Sequence, residues 1–176
     1  NDEYPAISER ILSDAHIKES ASYLVPALVD KERRERITGV LVYHGDCDEV
    51  LRPLVAALKD DTIREYISGI IVDEFGFTNR TVGALVRALR FPNLTEPASE
   101  ILARFGPRKI TMRHLTKALD YYNTFKPASE VLIGYGNKAL RYLQREAANA
   151  QNHFHLEKVI GVIESIGANN RYREAA

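Results

Sequence analysis

Apolar residues in this chain recur at helical spacing in short segments, and the segments themselves recur. Leucines stand four apart at Leu54 and Leu58, Leu85 and Leu89, and Leu115 and Leu119, so each pair shares one face of a helix. Each pair sits in a repeated phrase: YLVPAL (23–28), RPLVAAL (52–58), GALVRAL (83–89), RHLTKAL (113–119) and the more worn RYLQREA (141–147). A second apolar pattern follows each phrase and runs to a glycine, at Gly45, Gly76, Gly106, Gly136 and Gly167, with spacings of 31, 30, 30 and 31. Eight before the glycine stand Ile37, Ser68, Ala98, Ala128 and Val159. Five before it stand Val40, Ile71, Ile101, Val131 and Val162, and four before it Leu41, Val72, Leu102, Leu132 and Ile163. This pattern predicts a short amphipathic helix stopped by glycine, the residue that takes a left-handed C-terminal position at least steric cost.

Two helices per copy and a fixed period predict an all-α repeat array, because neither helix can bury its apolar face alone and stacked copies share one core. The repeats fall at about 17–46, 47–77, 78–107, 108–137 and 138–168 of a single domain over 1–176. Residues 1–16, with Ile7, Ile11 and Leu12 at helical spacing, would cap the first copy, and 169–176 form a tail without a sixth copy. The words EPASEIL (96–102) and KPASEVL (126–132) place Pro97 and Pro127 at predicted helix starts, where the missing N–H costs nothing. Pro26 falls inside the first helix of copy one and should kink it.

The stretch LRPLVAALKDDTIREYISGIIVDEFG (51–76) resembles a HEAT-like repeat of the short, phycobilin-lyase type: a Pro-Leu-x-x-Ala-Leu helix, a Lys-Asp turn and a second helix running to glycine. The similarity covers nearly the whole chain and implies a right-handed α-α superhelix, a solenoid of about five two-helix repeats. Copy three departs from it, carrying TEPASE where an arginine usually opens the second helix. The ankyrin and tetratricopeptide signatures are missing.

Composition narrows the function. The 176 residues include 24 Lys and Arg against 24 Asp and Glu, so no net field drives the whole molecule toward nucleic acid or an anionic membrane. No apolar run approaches the roughly 18 to 20 residues that span a bilayer. The one cysteine, Cys47, excludes an intrachain disulfide framework and fits a reducing, cytoplasmic setting. The chain opens at Asn1 with no initiator methionine, basic n-region or apolar h-region, as expected for a piece of a longer protein.

Candidate chemistry is sparse, and neither a cofactor nor a metal is expected. The five histidines are followed by Ile17, Gly45, Leu115, Phe154 and Leu156, so the repeated His-Glu pairs of the di-iron HEAT-like hydroxylases are missing. YHGDCDE (43–49) gathers His44, Asp46, Cys47, Asp48 and Glu49, but His44 occupies the column of Phe75, Phe105, Tyr135 and Ile166, and the aspartates suit helix caps. In HFHLE (153–157), His153 and Glu157 share a helix face without a third ligand. The lyase resemblance implies an alternative reading as a bilin lyase or chromophore-chaperone subunit. A further alternative is nucleic-acid binding through the basic first helices, although the lack of tryptophan and the zero net charge argue against binding of the kind HEAT-like glycosylases perform.

Charge divides by helix rather than by region on this reading. First helices carry bases such as Arg87, Arg113, Lys117 and Arg141; second helices lean acidic, with Glu65, Asp73, Glu96, Glu100 and Glu130. Family geometry lines the concave side with second helices, which implies an acidic groove. Glu100 and Glu130 share the column six before the glycine, filled by Ile70 in copy two. The expectation is a non-enzymatic scaffold that binds a basic, partly apolar partner protein or peptide through Tyr66, Ile70, Asp73, Glu100, Arg104 and Glu130.

Overall fold

The computed structural model describes residues 17–45 and 47–175; the proposed cap with Ile7, Ile11 and Leu12 lies outside them, as does Asp46. Among the described residues the chain is all-α. It divides into two compact units, one ending at Ala84 and one beginning at Leu85.

The first unit holds α1 (Ile17–Leu24), a 3-10 turn (Pro26–Val29), α2 (Arg34–Tyr43), α3 (Asp48–Ala57), α4 (Arg64–Gly69), a π turn (Ile70–Phe75) and the start of α5 (Asn79–Ala88). In place of the expected kink within one helix, α1 ends at Leu24 and Pro26 opens a separate 3-10 turn, since its ring removes an N–H donor and clashes with the preceding turn. Helix α1 packs on α3, and α2 packs on the π turn. The second unit holds α6 (Pro92–Phe105), α7 (Lys109–Ala118), α8 (Tyr122–Gly134), α9 (Asn137–Asn149) and α10 (His153–Ala175). There α7 packs on α9, while α8 packs on both α6 and α10.

The repeated leucines Leu28, Leu58, Leu89 and Leu119 are buried at the ends of the first helices. Each such burial contributes about 1.5–3 kcal/mol. Their backbone carbonyls lack helical partners and are satisfied by side chains instead. Arg34 Nε donates to the Leu28 carbonyl at 2.7 Å, and Arg64 Nε to that of Leu58 at 2.9 Å. In copy three, which lacks the arginine, the Thr95 hydroxyl donates to the Leu89 carbonyl at 3.1 Å. Lys158 Nζ reaches the Leu119 carbonyl at 2.6 Å. One structural need is met by three residue types.

Counted forward from those leucines, the second helices keep one register. Ile37, Ile67, Ala98 and Ala128 lie nine residues on, and Leu41, Ile71, Leu102 and Leu132 thirteen on; all eight are buried. The glycine then follows at residue seventeen in copies one, three and four, but at eighteen in copy two. The π turn takes up that extra residue: the Gly76 amide donates to the Ile71 carbonyl, five residues back, at 3.1 Å. Columns counted back from glycine are therefore shifted by one in copy two. Ile67 and Ile71, not Ser68 and Val72, are the partners of Ala98 and Leu102.

Gly45, Gly76, Gly106 and Gly136 all have positive φ. The expected left-handed helical geometry is replaced by a more extended one, with ψ of −162° at Gly76, −178° at Gly106 and −139° at Gly136. That corner of conformational space is essentially reserved for glycine. Gly167 differs, because α10 runs through it to Ala175, so the fifth copy has no glycine stop and residues 169–175 extend its helix. Pro97 and Pro127 also depart from expectation: both lie inside their helices, which start earlier, at Pro92 and Tyr122.

Candidate interaction site

A groove of about 1070 Å³ opens in the second unit between α6 and α8. Helix α6 presents Glu96, Glu100 and Arg104 at four-residue intervals, a single stripe along its exposed face. Helix α8 contributes Glu130, Val131 and Gly134, the last with open space where a Cβ would stand. Lys138, at the start of α9, lines the same groove. Along α6 the two acids precede the base, and Arg104, in the last turn, meets the negative pole of its own helix.

Tyr135 belongs to the groove lining and closes the repeat beneath it. Its hydroxyl donates to the Leu102 carbonyl at 2.6 Å, and burial pushes the phenol well above its ordinary pKa. It acts as a neutral donor at any physiological pH. Glu130 faces Lys126 at 4.0 Å in a surface pair that contributes little, so its carboxylate is available to a stronger partner.

Three of the expected residues, Glu100, Arg104 and Glu130, are thus brought together. The other three lie in the first unit. Tyr66 shares a 2.9 Å hydrogen bond with Thr38 Oγ1, and the Arg34 guanidinium stands 4.7 Å from its ring centre, so it links α4 to α2. Asp73 is exposed in the π turn. Ile70 is 4% exposed and belongs to the core, not to a contact surface. The extra residue of copy two is the reason: Gly69, not Ile70, occupies the register of Glu100 and Glu130. Glu96, counted among the second-helix acids but not among the six expected contacts, joins them, as its four-residue offset from Glu100 allows. Tyr135's role was not legible there, since it depends on a backbone carbonyl 33 residues away.

The division of charge also needs correction. Residues 1–84 carry 10 Lys and Arg against 16 Asp and Glu, and residues 85–176 carry 14 against 8, so a chain of zero net charge is −6 in one half and +6 in the other. Charge divides by region as well as by helix.

The remaining clusters offer little chemistry. Among the described residues no group of three or more His, Cys, Asp and Glu side chains could hold a metal ion. The His44 ring meets the Tyr43 ring edge-on with centroids 5.6 Å apart, and its buried Nε2 has no partner among the described residues. Cys47 is the cap residue of α3, and Asp48 lies one step inside, paired with Arg52 at 3.2 Å. His153 and Glu157 pair at 3.3 Å across one turn, whereas His155 reaches Asp120 at 2.7 Å. No described helix is long and apolar enough to cross a membrane. Compared with protein-family models, with curated proteins and with solved structures, the chain matches none.

Proposed function

We propose that the chain is a right-handed α-α solenoid of about five HEAT-like helix pairs, and that it works without catalysis as an interaction scaffold. Its groove between α6 and α8 takes a basic, partly apolar peptide or helix of a partner protein. The fold reading is supported by buried positions that recur nine and thirteen residues after each repeated leucine and by four repeat glycines with positive φ. The observation that carries the function is the arrangement of Glu96, Glu100 and Glu130 around Val131 and Tyr135. Carboxylates on the rim steer and orient a basic ligand, while the apolar floor rewards burial of its other face. Tyr66 and Asp73 are not required by this reading.

The test is fluorescence anisotropy with labelled amphipathic helical peptides, one Lys/Arg-rich and one Glu-rich. The basic peptide should bind, more weakly as salt rises, and Glu100→Lys with Glu130→Lys should weaken it about tenfold or more at unchanged thermal stability. Equal affinity of wild type and double variant for that peptide would sink the site.

A further inference from the structure

The second unit's positive charge is concentrated on its first helices. Between Leu85 and Asn149, α5, α7 and α9 carry Arg87, Lys109, Arg113, Lys117, Lys138, Arg141 and Arg145 against one acid, Glu146. Arg87, Arg113 and Lys117 are exposed, and all three act on the His114 imidazole, so bases from α5 and α7 form one patch rather than scattered charges.

Aromatic rings follow the ends of α5 and α7, two of the helices that carry this charge. Two residues after the buried leucine, where the first unit has Asp30 and Asp60, the second has Phe91 and Tyr121. The aspartates close their own turns, accepting from the amides of Glu32 and Thr62 at 3.0 Å each. Phe91 and Tyr121 make no such cap bond, yet they are 44% and 68% exposed, and Tyr122 beside them is 94% exposed. Burial therefore does not explain these rings. Arg90 lays its guanidinium 4.6 Å from the Phe91 ring centre, stacking a cation on an aromatic plane at the surface.

Exposed rings interleaved with cations are the physical requirement for single strands of nucleic acid. Bases supply flat faces that stack on aromatic side chains, and phosphates pair with Lys and Arg. A basic peptide would be repelled here, and an acidic protein would have no use for flat rings at regular repeat positions. We infer that the second unit binds single-stranded nucleic acid here, with Phe91, Tyr121 and Tyr122 stacking bases and Arg87, Arg90 and Lys117 contacting phosphates. None of these six residues lines the α6–α8 groove.

The probe is a fluorescein-labelled oligothymidylate of about 20 nucleotides, titrated with the full chain at about 50 and 200 mM salt. Binding should fall steeply with salt and be stronger than to a duplex of equal length. Tyr121→Ala with Tyr122→Ala should weaken it at least about tenfold with the salt slope unchanged, because stacking is lost and charge is not. Arg90→Gln with Lys117→Gln should weaken it and also flatten the slope by about two phosphate contacts. The exposed Tyr122→Ala single variant, which cannot unfold the chain, should lose part of the same affinity. No binding at low salt would overturn the assignment. So would binding that the tyrosine variants leave intact, or equal affinity for heparin, since either marks a general polyanion surface.

Discussion

The two units build their helix corners on the same frame and finish them with opposite chemistry. In the first, Asp30 and Asp60 fold back to accept backbone amides, and Arg34 and Arg64 cap the leucine carbonyls, so charge is consumed within the corner. In the second, a threonine or a lysine satisfies the carbonyl, and the aspartate position goes to Phe91 and Tyr121, open to solvent. A rule of local structure is kept in one half and set aside in the other. Positions where a locally favourable residue is abandoned without a local gain are where outside demands are most readily sought.

Three perturbations separate what the halves share from what they do not. The largest effect should come from deleting one residue near the end of a second helix. Removing Asp73 leaves Ile71 four residues before the glycine, as Leu102 is, and should cost less than about 1 kcal/mol because the π turn simply becomes α-helical. Removing Arg104 pulls the buried Phe105 out of register and should cost about 3–5 kcal/mol, comparable to losing a core phenylalanine. Urea unfolding of the two deletion variants distinguishes them; equal losses would refute the extra-residue account.

Glycine substitutions come next. Gly76→Ala and Gly106→Ala force an alanine into backbone that it avoids and should cost about 1–3 kcal/mol in either unit, with no neighbouring side chain in the way. Gly167→Ala, inside α10, should instead stabilise by about 1 kcal/mol. The opposite signs, read from thermal melts, test whether the fifth copy truly lacks the stop.

The smallest effect concerns the basic patch. Burial first, then Arg113, Lys117 and Arg87, hold the His114 imidazole below its ordinary 6.5. The unfolded chain therefore takes up this proton first as pH falls. His114 leaves stability unchanged well above 6.5, lowers it as pH drops from there toward the folded value, and adds no further loss below that. His114→Asn should remove this part of the acid-side slope. Saturation with the oligothymidylate should raise the His114 titration midpoint followed by proton NMR, as phosphates neutralise the three cations.

Much of the fold was written plainly in the repeated leucines, because buried positions tolerate little change and their spacing reports helix geometry directly. The one-residue error at Ile70 arose because glycine was taken as the fixed point, whereas the core is anchored at the leucine and length varies near the glycine. Pro97 and Pro127 misled because each is the sixth residue of its helix; in copy three Pro92 carries the same start signal at the true first position, while at Tyr122 no capping residue marks the start. At the site, Glu100, Arg104 and Glu130 were legible as a column, while Lys138 and Tyr135 enter from beyond a turn. The regional charge split was present in the composition all along and vanished only because the two halves cancel.

The π turn of Ile70–Phe75 has a consequence for how such a chain can change over generations. A helix that absorbs one surplus residue locally shields everything downstream from a shift in reading of its core, so a three-nucleotide insertion there is survivable. Length variation would then accumulate ahead of the glycines, and the arginine, threonine and leucine positions upstream would hold their spacing. Descendants of one ancestral repeat could differ in period while still stacking in the same way.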